Sequence, residues 1–200
     1  MKIIILASGS PRRKELLEQI GFTFEVVIST CKEKAEGSNP AEVVCNLSKQ
    51  KALDIWNLKK DKISDHDDRD TFIVIGADTI VYCEGEILGK PKDEEDATRM
   101  LNKLSGKCHQ VYTGVTVYYR KDGMDQVHTF FEETEVEFYT MKEQEIASYV
   151  ESKDPLDKAG AYGIQGRCAA YIKGIRGDYN NVVGLPVGRL YQELKECGLI

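Results

Sequence analysis

The chain opens on "KIIIL" at 2–6, an unbroken apolar run of strand length, which predicts a buried strand. Polar and small residues follow at once. Ser10 stands as an N-cap and Pro11 as the first residue of a helix with Leu16, Leu17 and Ile20 as its apolar stripe and Gly21 as its stop. In "FTFEVVIS" (22–29) the alternation of Phe22, Phe24, Val26 and Ile28 predicts a second strand with those four side chains inward. From Pro40 to Leu58 the period becomes helical and presents Val44, Leu47 and Leu58 to a core. The highly charged "KKDKISDHDDRD" (59–70) reads as an exposed loop insertion. "TFIVIGADTIVYC" (71–83) predicts a strand, a break at Gly76-Ala77-Asp78 and a further strand, and "EGE" (84–86) a turn. Asp93 caps a helix to Leu104 with Ala97, Met100, Leu101 and Leu104 inward. Alternating strands over 109–120 and 126–139 join through "KDG" as a hairpin. "TMKE" (140–143) has the form of a capping box before a helix that presents Ile146, Tyr149 and Val150. The last third is rich in glycine and ends on a helix. Helices and strands alternate but include a hairpin, so the fold class is α/β with a mixed, partly antiparallel sheet.

Two hundred residues, 42% hydrophobic and 30% charged, describe an ordinary globular chain of one domain or two small lobes. The net charge of −6 argues against nucleic acid or an anionic membrane as partner. A small anionic ligand would need cations gathered locally. The six cysteines form no C-x-x-C pair, and the first apolar run is too short for a membrane span or a secretory signal, so the expected location is the cytoplasm. The three histidines are far apart, which disfavours a zinc site. Neither a Walker A loop nor G-x-G-x-x-G is present.

Four stretches could carry chemistry. In "ASGSPRRKELL" (7–17) a strand, a small-residue loop and a helix start form an anion site, and Arg12 and Arg13 occupy the first turn. Positive charge there opposes the helix dipole at about 0.3–1 kcal/mol each, a cost that a bound polyanion removes. The other reading leaves both arginines solvated or paired with Glu15 or Glu18. Asp78 lies at the end of an apolar strand, where open sheets bind ligands, or else caps a turn. Lys90 in "LGKPK" sits on a constrained loop suited to phosphate, or is a surface lysine. In "DKAGAYGIQG" (157–166) Gln165 can both donate and accept, as reading a pyrimidine edge requires, or is merely exposed in a tight turn. "DHDDRD" (65–70) has the composition of a metal cluster but reads as a solvated loop.

Together "LASGSPRRKELL", "GADTIV", "GKP", "KLSGKCHQVYTGV", "DKAGAYGIQG" and "GDYNNVVGLP" resemble, in order, the signature blocks of the Maf (septum-formation-inhibitor) family. The resemblance implies a two-lobed fold around a central cleft, similar to inosine-triphosphate pyrophosphatases. It implies hydrolysis of a nucleoside triphosphate to the monophosphate and pyrophosphate with a divalent cation, magnesium or manganese. Position by position, Ser8, Arg12 and Arg13 fall on the phosphate-binding block, Lys51 on the helical lysine, Asp78 on the general base and metal site, and Lys90 on the "GKP" lysine. Arg12, Thr79 and Gln165 fall on positions linked to base choice, and Thr79 points to the branch acting on dTTP and UTP, with modified pyrimidine nucleotides as further substrates. Glu33 is the candidate second metal ligand, although Lys32 precedes it where the family often has an acidic residue. A homodimer without nucleic-acid or membrane partners is the expected assembly. The competing function is a non-catalytic nucleotide-binding regulator of cell division.

Overall fold

The computed structural model describes residues 2–64 and 71–200. Its strands are β1 (Lys2–Leu6), β2 (Glu25–Val26), β3 (Thr71–Cys83), β4 (Glu86–Leu88), β5 (Cys108–Lys121), β6 (Met124–Phe138) and β7 (Ile172–Arg176). The helices are α1 (Pro11–Gln19), α2 (Pro40–Ser64), α3 (Glu94–Leu104), α4 (Glu143–Glu151), α5 (Tyr179–Val183) and α6 (Val187–Glu196). The hydrogen-bonded strand order is β2-β1-β3-β5-β6-β7, with β4 on β3. β1 pairs parallel with β2 and β3, whereas β3–β4 and β6–β7 are antiparallel, so the sheet is mixed as expected. The chain divides into two compact units: Met1–Asp78, Thr113–Phe131 and Gly184–Ile200 form the first, and Thr79–Tyr112 with Glu132–Val183 the second.

In the first unit, Ile5, Ala7, Ala52, Ile55, Trp56, Phe72 and Val74 form a buried cluster, with Ile3, Val27 and Tyr118 packed against it. The Trp56 ring lies 6.1 Å from Phe72 and 5.9 Å from Tyr118. No break interrupts β3 at Gly76-Ala77-Asp78. Gly76 is there because α2 packs against the strand so closely: a Cβ would lie 2.5 Å from the Ser48 carbonyl oxygen and 2.8 Å from Ala52.

Three further expectations fail in this unit. The strand over 22–29 shrinks to Glu25–Val26: after Val26 it has no strand partner because β1 ends at Leu6, and before Glu25 the chain is still closing α1, with the Phe22 N–H given to the Leu17 carbonyl at 3.2 Å. Val27 then packs on the core, while Val26 and Ile28 are exposed. Helix α2 does not end at Leu58 but runs to Ser64, so residues 59–64 are helical and not loop. Lysine is a good helix former and the run contains neither glycine nor proline. Leu58 is 67% exposed: six residues beyond the buried Ala52, it stands about 120° round the helix from it. Residues 65–70, the "DHDDRD" run, lie outside the described residues.

In the second unit, Val81, Cys83 and Leu88 of the β3–β4 hairpin pack with Ala97, Met100, Leu101 and Leu104 of α3 and Ile146, Tyr149 and Val150 of α4. Asp93 caps α3 by accepting the Asp96 N–H at 2.8 Å. The "TMKE" cap is displaced: α4 starts at Glu143, and the Glu145 carboxylate accepts the Lys142 N–H at 2.7 Å. Tyr139 N–H is already given to Tyr171 O and Met141 N–H to Ser105 Oγ, so the chain at 139–141 is tied elsewhere before the helix begins.

Candidate active site

β1 and β3 run parallel in register from Lys2–Thr71 to Leu6–Ile75 and then part. Beyond Leu6 the chain turns into α1, while β3 continues to Asp78. Side chains from both therefore gather at the carboxyl end of β1, where parallel strands characteristically present ligands.

On the α1 side, Ser8 is buried, and its hydroxyl accepts the Ser10 N–H at 3.3 Å and an Arg13 N–H at 3.2 Å. Arg13 Nε donates to the Gly184 carbonyl at 2.8 Å. Burial lowers the Arg13 pKa, Arg12 acts in the same direction, and the charges of Asp78 and Glu33 oppose both. A guanidinium remains charged at neutral pH under such a shift. Ser10 occupies the N-cap position as expected, but its side chain makes no capping bond, and the first turn of α1 holds no acidic residue.

Lys51, on α2, donates to the Asp78 carboxylate on β3 and lies 3.2 Å from the Glu33 carboxylate on the segment before α2. The Lys51 and Asp78 side chains are 15% and 13% exposed. Both carboxylates thus converge on one ammonium group, and Arg13 is close enough to feel each of them. Ser8, Arg13, Glu33, Lys51 and Asp78 are brought together within the first unit, and Arg12 is half-buried beside Arg13.

Thr79, Lys90 and Gln165 belong to the second unit. Thr79 is half-buried, and Lys90 and Gln165 are exposed. The Gly160 N–H donates to the Gly89 carbonyl at 3.0 Å, tying the turn that carries Lys90 to the segment that carries Gln165. Gly160 has φ +66°, and a Cβ there would meet Val81 at 2.7 Å, so only glycine allows this approach. Tyr162 anchors the same segment through a 2.8 Å hydrogen bond between its hydroxyl and Nε2 of the buried His109. Burial pushes the His109 pKa down to about 4.

Among the described residues no three His, Cys, Asp or Glu side chains form a cluster. The site offers instead two carboxylates, Asp78 and Glu33. That set fits a hard cation of the magnesium type, which binds through one or two carboxylates and completes its shell with water and phosphate oxygens.

The family model for Maf-like proteins matches residues 3–197. This chain belongs to that family. Among its Maf-like relatives, a protein of Agathobacter rectalis named dTTP/UTP pyrophosphatase is 56% identical over 203 residues, covering 100% of this chain and 99% of the relative. A Bacillus cereus protein of the same name is 51% identical over 200 residues, covering 100% and 92%. Among solved structures, a HAM1 protein from Coxiella burnetii aligns over 98% of this chain and 100% of its own, with a TM-score of 0.50 at 14% identity, a likeness of fold.

One contributor escaped the sequence reading. Gly184, in the segment "GDYNNVVGLP" (177–186), orients Arg13 through its carbonyl. A main-chain acceptor 171 residues away leaves no side-chain signal to find.

Proposed function

We propose that the chain is a nucleoside triphosphate pyrophosphatase, a hydrolase of acid anhydrides that converts dTTP and UTP, and modified pyrimidine counterparts, to the monophosphate and pyrophosphate. One observation carries this reading: Lys51 engages both Asp78 and Glu33 beside the Ser8–Arg13 turn. Support comes from full-length relatives named for that activity. A regulator that only binds nucleotide has no need of such a paired carboxylate and ammonium.

In this reading the phosphates lie against the first turn of α1, held by its N–H groups, Ser8, Arg12 and Arg13. The contacts of Arg13 to Ser8 and Gly184 orient its guanidinium before substrate arrives. Asp78 takes a proton from the attacking water as its oxygen bonds to the α-phosphorus. The bond from that phosphorus to the bridging oxygen breaks, and pyrophosphate leaves with the electron pair. Lys51 holds the Asp78 carboxylate in place and adds positive charge beside the reacting phosphate. A divalent cation, magnesium or manganese, held by Asp78 and Glu33 would neutralise phosphate charge when bound. Lys90 neutralises the departing pyrophosphate, and Arg12, Thr79 and Gln165 select the base.

The cytoplasm is the location we propose, since a reducing compartment suits six free thiols. No helix among the described residues is long and apolar enough to cross a membrane. The test is pyrophosphate release across a panel of nucleoside triphosphates with magnesium or manganese, with and without chelator. The expected result is release greatest with dTTP and UTP and abolished by chelator. No release from any triphosphate would refute the enzyme and favour the regulator.

A further inference from the structure

Residues 27–37 form neither strand nor helix, yet hydrogen bonds to α2 fix the course of this segment. Glu42, Asn46, Gln50 and Asp54 follow each other at intervals of four along α2 and so share one face on successive turns. Each grips the segment in reverse order. Glu42 accepts the Ser38 N–H at 2.8 Å. Asn46 donates to the Glu36 carbonyl at 2.8 Å. Gln50 accepts the Lys34 N–H at 2.9 Å and donates to the Lys34 carbonyl at 2.8 Å. Asp54 accepts the Ser29 hydroxyl at 2.8 Å and the Thr30 N–H at 3.1 Å. All four reach main-chain groups, so the strap holds the path of the backbone whatever side chains the segment carries.

Glu33 lies between the Asp54 and Gln50 anchors. Gln50 and Lys51 are neighbours on α2: one pins the main chain at Lys34, and the next meets the carboxylate of Glu33. We propose that Gln50, within this stripe of polar side chains, is a positioning residue that delivers the Glu33 carboxylate to Lys51 and Asp78. A segment without secondary structure would otherwise sample many conformations, and a carboxylate on it would meet Lys51 only part of the time.

This inference rests on the reading of Glu33 as part of the active site, and the experiment separates the two. Gln50→Ala, Glu33→Ala and the double variant are compared for kcat/KM with dTTP, and exchange of the Lys34 amide hydrogen is followed in each. Gln50→Ala should lower kcat/KM about tenfold, the size expected from losing two ordinary hydrogen bonds. It should speed Lys34 exchange by at least about tenfold and lower the melting temperature by no more than about 3–6 °C, since the helix propensity of alanine offsets part of the two lost hydrogen bonds. In the Glu33→Ala background the same change should cost less than about twofold, since the group it positions is gone. Gln50→Glu, which keeps the acceptor for Lys34 N–H and loses the donor, should fall between the parent and Gln50→Ala. Multiplying effects in the double variant would overturn the proposal, as would Lys34 protection unchanged by Gln50→Ala. A silent Glu33→Ala would overturn it through the reading of the site itself, and is told apart because Lys34 exchange would still accelerate.

Discussion

Replacing Gly76 by alanine tests the link between packing and chemistry most directly. Gly76 is two residues before Asp78 on β3, and it faces Ser48 and Ala52 on the helix that carries Lys51. The added methyl would lie 2.5 Å from the Ser48 carbonyl oxygen, and ordinary contact begins at 3.4 Å, so backbone must give by about 0.9 Å. The obstacle is main chain on both sides, in a buried layer, and no flexible side chain can swing away. Overpacking of this kind costs about 1–3 kcal/mol. For a chain of this length each kcal/mol moves the melting temperature by about 2–4 °C, which gives a fall of about 2–12 °C. The retreat of α2 also draws Lys51 away from Asp78, and a misplacement of about 1 Å at a reacting centre can cost roughly a hundredfold in rate. Thermal melts and pyrophosphate release with dTTP measure the two effects on one sample. A Gly76→Ala protein with the parent melting temperature and turnover would refute both the packing account and the dependence of the Lys51–Asp78 contact on it.

Asp78→Asn should keep the fold and lose about 10²–10⁴-fold in kcat with dTTP, and near-parent turnover would remove Asp78 as the base. Arg13→Lys loses the planar fork that reaches Ser8 and Gly184 together, so the KM for dTTP should rise about tenfold or more; a change confined to base preference would place Arg13 outside the phosphate site. His109 is neutral in the fold, with its pKa depressed from 6.5 to about 4. Its contribution to stability is therefore complete above pH 6.5 and is lost as pH falls toward 4, where the unfolded chain binds a proton that the fold refuses. The loss is on the order of 3 kcal/mol. His109→Gln should flatten the fall in melting temperature across that window, and a slope equal to the parent's would assign the effect to other groups.

Local patterns carried β1, α1, α3 and the β5–β6 hairpin, because each has its period, its cap or its turn within a few residues. The capping aspartate of α3 and the Asp122-Gly123 turn, with φ of +52° and +73°, are of this kind. Three of the misreadings share another cause, a partner outside the pattern that decided the outcome, whereas the helical run at 59–64 followed from its own propensities. Gly76 resembles a strand breaker until α2 is placed against it. Residues 22–29 alternate like a strand, but β1 ends opposite Val26, and Phe22 is held by Leu17 at the close of α1. Thr140 heads a good capping pattern in a stretch already committed to Tyr171 and Ser105. The site follows the same division. Arg12, Arg13 and Asp78 could be reasoned from their own surroundings, whereas Lys51 and Glu33 were visible only through family resemblance. The polar stripe from Glu42 to Asp54 stands in the sequence at four-residue spacing, but nothing there says which segment it holds.

Trp56 is the chain's single tryptophan, and it sits in the first unit between Phe72 and Tyr118. The molecule therefore carries a native optical label on one half only. Indole emission, selectively excited, follows the unit that holds Ser8, Arg13, Lys51 and Asp78, while far-ultraviolet circular dichroism follows the helices of both. Superimposed denaturation curves from the two signals would mean that the halves melt as one cooperative body, and separated midpoints that the phosphate-binding half comes apart on its own schedule.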